Sequence, residues 1–233
     1  MLDSPKKQRR VNAGKGRQTR STILGAAIAQ AAAKGLEGLT IGSLAELTGM
    51  SKSGLFAHFG SREELQLAVL KAYEERFAAA VLMPALEAPR GLGRLRRIFQ
   101  LWVEHTADTS ESGCILMSAA SEYDDQPGPL RDALVAMVLR WQAELARATG
   151  QAVERGDLRA DLDVPAFIFD VYGIMLALHH DARLLHSPNS TARAAASFER
   201  LLGHAGGERH GLTPQTANDR ALAPPAGGAS SSD

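Results

Sequence analysis

The chain has 233 residues, 26 basic and 26 acidic side chains, one cysteine and only 5% aromatic residues. That length builds one sizeable core, or a small domain beside a larger one. Cys114 alone excludes an intrachain disulfide framework and fits a reducing cytoplasm, and no apolar run reaches the roughly 18–20 residues of a membrane span.

Residues 1–16 are polar, basic and glycine-containing, and a flexible arm is expected there, with no apolar signal-peptide core directly behind it. From Arg17 to Lys34 the positions Ile23, Leu24, Ala27, Ile28, Ala31 and Ala32 follow helical spacing, and Gly35 closes the helix. The next stretch compresses two short helices, a turn and a third helix start into fewer than thirty residues. Thr40 caps a helix carrying Ile41, Leu44, Ala45 and Leu47. Gly49 supplies the turn, and Ser51 caps a helix that presents Lys52, Ser53 and His58, with Leu55, Phe56 and Phe59 as bulk. Ser61, followed by Glu63 and Glu64, opens the third helix with acidic residues at its positive end. This is the layout of a helix-turn-helix, whose second helix enters the DNA major groove.

A long amphipathic helix is expected from Arg62 to Met83, stopped by Pro84. Further helices follow over 92–106, 114–123, about 129–155, 166–185 and 191–202. The segment 166–185 is apolar nearly all round and needs cover on more than one face. From about 205 to 233 the sequence is rich in Gly, Ala, Pro, Ser and Thr, and a disordered tail is expected. The fold class is all-α, about nine helices, with no strand pattern. The domain reading is an arm (1–16), a helix-turn-helix unit (17–62), a helical body (63–204) and a tail (205–233).

Charge supports a nucleic-acid partner. Residues 1–62 hold ten basic and three acidic side chains, which leaves sixteen basic and twenty-three acidic for 63–233. A basic module on an acidic body suits a polyanion, because cations that neutralise phosphates release counterions.

The segments Arg17-Gln-Thr-Arg-Ser-Thr-Ile-Leu-Gly-Ala-Ala, Gly38-Leu-Thr-Ile and Ser51-Lys-Ser-Gly-Leu-Phe-Ala-His-Phe-Gly-Ser-Arg-Glu-Glu-Leu resemble the tetracycline-repressor (TetR), AcrR-like family of bacterial transcription regulators. The resemblance covers about residues 17–70. It implies a homodimer whose N-terminal heads read successive major grooves of a palindromic operator, and a helical C-terminal domain that binds a small molecule and dimerises. Phe56 stands where the family usually has Tyr, so a phosphate-contacting hydroxyl is absent, and Arg62 stands where Lys is usual.

Roles follow on that footing. Lys52 and Ser53, at the exposed start of the recognition helix, are placed for base edges. Thr40, Ser51 and His58 suit phosphates, aided by helix N-termini. Gly54 lets the backbone approach DNA, and Arg62 reaches toward the sugar-phosphate chain. Lys6 to Arg20 add minor-groove or backbone contacts. Leu44, Leu47, Leu55 and Phe59 are read as core. In the body, Trp102, Met117, Phe167, Tyr172 and Met175 are candidates to line a cavity for a largely apolar effector. Helices 166–185 and 191–202 are candidates for a four-helix dimer contact.

Other features carry less. His179, His180, Asp181 and His186 lack a second spaced pair for a metal. Cys114 reads as a buried small residue, and of the carboxylates Glu122, Asp124 and Asp125 the two beside Pro127 read as a solvated cap. No nucleophile–base pair is legible, so a non-enzyme without cofactor or metal is expected. The expected activity is ligand-responsive transcription regulation in the cytoplasm, most simply repression. The alternatives are a DNA-binding protein without effector, or a regulator of activator or co-repressor type.

Overall fold

Caps and glycine turns delimit most helices where the sequence places them. The computed structural model describes the backbone of residues 5–107 and 114–207, and side chains within these ranges at residue 16 and from 18 onward. The expected tail beyond 207 lies outside the described residues. Helix α1 spans Pro5–Lys34, α2 Ile41–Thr48, α3 Lys52–Phe59 and α4 Arg62–Phe77. A π-helical turn, Ala78–Leu82, carries α4 into the short α5, Met83–Ala85. Then come α6 Leu92–Ala107, α7 Ile115–Tyr123, α8 Pro129–Glu154, α9 Val164–Arg183 and α10 Ser190–Ala205. Counting α4, the π turn and α5 as one rod, the described residues form nine rods. One isolated bridge, Leu158 to Gly206, ties the residue that ends α10 to the α8–α9 loop.

Three expectations need correction. Helical backbone does not begin near Arg17 but reaches back to Pro5. Proline is tolerated in the first turn, and the Lys, Arg and Gln that follow favour a helix enough to outweigh two glycines. Pro84 does not stop the long helix. The preceding π turn shifts the hydrogen-bond ladder, so the missing N–H of Pro84 and its ring are absorbed and the chain stays helical to Ala85. Leu47 is not core: it lies at the end of α2 and is 59% exposed, since eight residues are too short to keep every periodic apolar position inward.

Helices α1 to α3 and the first turns of α4 form the N-terminal unit around Ile23, Ala27, Ala31, Leu36, Leu39, Leu44, Leu55, Phe59 and Leu65, all buried. The body packs α4 and α6 to α10 around Phe77, Trp102, Trp141, Leu145, Phe167 and Met175. Phe99 of α6 stacks on Phe198 of α10 at 3.8 Å between ring centres, and Arg96 reaches Glu199 with both ends of its guanidinium, at 3.0 and 2.8 Å. Helix α9 buries Phe167, Ile168, Val171, Met175 and Leu178 and leaves Phe169 78% and Leu176 48% exposed. Its second apolar face is not covered by the described residues.

Candidate nucleic-acid interface and effector cavity

Thr40 Oγ1 accepts from the Ser43 N–H at 3.1 Å, and the Thr40 N–H donates to Ser43 Oγ at 3.3 Å, a closed capping box that starts α2. Gly49 ends it with φ 66°, a conformation cheap only for glycine. Ser51 Oγ then accepts from the Gly54 N–H at 3.1 Å and caps α3. Leu55 and Phe59, one turn apart, anchor α3 in the core. The opposite face carries Lys52, Ser53, Phe56 and Ala57, all exposed, with Ser51 ahead of them and His58 half-buried beside them. Lys52 has no ion pair among the described residues.

Other members of the expected contact set are already engaged. Arg62 Nε donates to the Leu39 carbonyl at 3.1 Å, its guanidinium also reaches the Glu37 carbonyl, and it pairs with the Glu37 carboxylate at 2.9 Å. Arg20 lies 4.5 Å from the centre of the Phe59 ring and donates to the His58 carbonyl at 3.4 Å. A Cβ at Gly54 would sit 3.2 Å from Ser51 Oγ, so its missing side chain leaves room for the cap. The side chains of Lys6 to Lys15 and of Arg17 lie outside the described residues.

Glu122 reaches across to the N-terminal unit. Its carboxylate accepts from the N–H groups of Leu36 (3.2 Å) and Glu37 (2.9 Å), in the loop between α1 and α2. Tyr123 donates its hydroxyl proton to Glu37 Oε2 at 2.7 Å. Gln66 of α4, buried, donates to the Leu36 carbonyl at 2.8 Å and to the Tyr123 hydroxyl at 3.3 Å. The Tyr123 hydroxyl and Arg62 together hold the Glu37 carboxyl below its usual range. These contacts join the end of α7 to the loop that feeds the helix-turn-helix.

Higher in the body, α4 with its π turn, α7 and α8 line a half-open cavity of about 300 Å³. Its apolar walls are Tyr73, Phe77, Leu116, Met137 and Trp141. At its rim Arg140 grips Glu74 with two hydrogen bonds, at 2.7 and 3.0 Å. None of the five expected lining residues forms this wall. Trp102 and Met175 are wholly buried, Met117 and Phe167 nearly so, and Trp102 stands behind the wall with its ring 5.2 Å from that of Trp141. Tyr172 instead borders a groove between α8 and α9, with Ile168, Phe169 and Leu176. The indole N–H groups of Trp102 and Trp141 and the Thr106 hydroxyl are buried with no partner among the described residues.

The Tyr73 hydroxyl is 3.0 Å from His105 Nε2 and donates to Cys114 Sγ at 3.3 Å. Burial raises the pKa of both Tyr73 and Cys114, so the thiol stays protonated. Among the described residues no group of three His, Cys, Asp or Glu side chains is placed to hold a metal, and no helix is long and apolar enough to cross a membrane.

A model of the bacterial regulatory proteins of the tetR family matches residues 23–69, and one of the tetracyclin repressor-like C-terminal domain matches residues 91–198. The chain belongs to the TetR family of transcription regulators. The transcriptional regulator AcuR of Cereibacter sphaeroides is 25% identical over 135 residues, 57% of this chain, and the match spans 62% of AcuR's own length. A TetR transcriptional regulator from Chloroflexus aurantiacus shares the fold with a TM-score of 0.70 at 23% identity, over 82% of this chain and 95% of that one. SCO4454 from Streptomyces coelicolor does so with a TM-score of 0.71 at 19% identity, over 88% and 97%. AibR, solved in complex with isovaleryl coenzyme A and operator DNA, has a TM-score of 0.61 at 22% identity, over 80% and 97%.

For this TetR-family regulator the signals for α3 were local and readable. The cavity wall was not, because its residues come from three helices far apart in sequence. Trp141 and Leu116 are apolar positions in regular helices, with no local mark that separates a wall from a core.

Proposed function

We propose that this TetR-family regulator is a homodimeric repressor that acts in the cytoplasm and leaves its operator when a small, largely apolar effector enters the body. Residues 17–62 form the DNA-reading unit and 63–204 the ligand-binding and dimerising body. The observation that carries the reading is the exposed row Ser51, Lys52, Ser53 and Phe56 on a helix whose other face is locked into the core. Lys52 and Ser53 meet base edges, while the helix starts at Thr40 and Ser51 meet phosphates. With Arg62 and Arg20 bracing the head, Lys52 carries more of the contact than composition suggests.

The effector reading is supported by the α4–α7–α8 cavity, whose apolar walls and rim ion pair suit a compact apolar molecule. AibR, a structural neighbour, was solved with an acyl thioester and DNA together. Dimerisation is supported by the uncovered apolar face of α9 around Phe169 and Leu176, beside α10.

Selection from a library of randomised DNA duplexes tests the core of this reading. The expected product is an inverted repeat with half-sites about one helical turn, or a multiple of it, apart. No enrichment, or a lone half-site, contradicts it. A thermal-shift screen of small apolar compounds tests the effector arm, since a ligand of the folded state raises Tm by mass action.

A further inference from the structure

Helix α7 touches both ends of the problem. Leu116, near its start, forms part of the cavity wall. Glu122 and Tyr123, at its end, hold the loop before α2. Six residues of rigid helix separate the two, about 9 Å at 1.5 Å per residue. Helix α4 also reaches both places, but its first turns are part of the head's own core through Leu65, so it moves with the head. Helix α7 instead holds the loop before α2 through the polar bonds of Glu122 and Tyr123, which can be made or broken as a unit.

The local fit is specific. Gly35 has φ 81°, and a Cβ there would stand 2.5 Å from Glu122 Oε1, so a side chain at 35 would expel the carboxylate. One carboxylate on two adjacent backbone N–H groups is a charge-assisted pair of bonds. The loop it holds, Leu36 to Leu39, runs directly into the Thr40 cap. Tyr123 adds the bond to Glu37, which in turn pairs with Arg62 at the start of α4.

We propose that Glu122 and Tyr123 are coupling residues, and that their grip on Leu36 and Glu37 is the clamp through which α7 reports cavity occupancy to the helix-turn-helix. A molecule in the cavity that displaces Leu116 moves α7, opens the clamp and frees the loop that sets α2 and α3. The inference rests on the cavity being the effector site. In linkage terms, the effector binds the clamp-open state better and lowers DNA affinity by that difference alone.

The test measures residue-resolved amide hydrogen exchange on the full-length protein without DNA or effector. Glu122→Ala sets the open reference, with exchange at Leu36 and Glu37 faster by about tenfold or more. Leu116→Trp fills the cavity and touches no residue of the head. It is expected to speed the same two amides, and to add nothing further in the Glu122→Ala background. Tyr123→Phe is expected to give an intermediate effect. If Leu116→Trp does not give a native circular-dichroism spectrum, Ala143→Phe fills the same cavity from α8. Wild-type exchange at Leu36 and Glu37 in a folded cavity-filling variant overturns the proposal, and so does full additivity with Glu122→Ala. Because the readout needs neither ligand nor operator, failure of the effector reading shows separately, as silence in the thermal-shift screen.

Discussion

His179 shows how a single side chain becomes a pH-dependent liability. Its Nδ1 is buried without a partner among the described residues, and its pKa is lowered by burial first, then by Arg183 and His180. A histidine whose folded pKa lies below its unfolded value, about 6.5, adds stability that is present above that value. It is lost as pH falls through the folded pKa. Thermal unfolding between about pH 7 and 5 is therefore expected to show a fall in Tm that is shallower in His179→Gln; equal slopes would remove His179 from the account. Residue-scale reading of the sequence was most accurate where the cause was local. Cys114 is buried, and Thr40, Ser51 and Ser61 all cap. The role of Glu122 was not legible, because its partners lie 85 and 86 residues away, where no local pattern points.

At the scale of elements, α2 is eight residues long and depends on its ends. Helices this short are marginal alone, and the capping box satisfies donors that the helix cannot. Thr40→Ala is expected to cost about 1 kcal/mol of stability, read as a lower urea midpoint at unchanged m-value. A change below about 0.3 kcal/mol would show the box to be ornamental within the error of such measurements. The turn at Gly49 and the two caps made the helix-turn-helix legible, because they are short-range backbone requirements. The π turn before Pro84 was not legible, since a proline signals a break unless the preceding ladder shifts, and that shift depends on packing around Val81 and Ala85.

At the scale of the molecule, the described residues leave exposed the row on α3 with Lys52, Ser53 and Phe56, and an apolar row on α9. Exposed large apolar patches mark contact surfaces, and Phe169 and Leu176 lie two turns apart on one side of α9. If this face holds the proposed dimer, Phe169→Glu with Leu176→Glu gives a folded monomer in analytical ultracentrifugation and weakens binding to the full inverted repeat. A dimer that survives both changes would place the interface elsewhere. The near-continuous apolar character of 166–185 made this face readable in advance. The cavity was unreadable at the same scale, because its lining by α4, α7 and α8 is a property of their packing and of no single segment.

If α3 reads DNA through Lys52 as proposed, a titration of the selected duplex with wild type and Lys52→Ala shows it. Fluorescence anisotropy at several salt concentrations separates the two kinds of contact. A base-reading Lys52 predicts a loss of about 1–3 kcal/mol, relaxed preference at one base position of each half-site, and a nearly unchanged salt slope. Unchanged affinity and unchanged base preference in Lys52→Ala would show that α3 does not read DNA through Lys52.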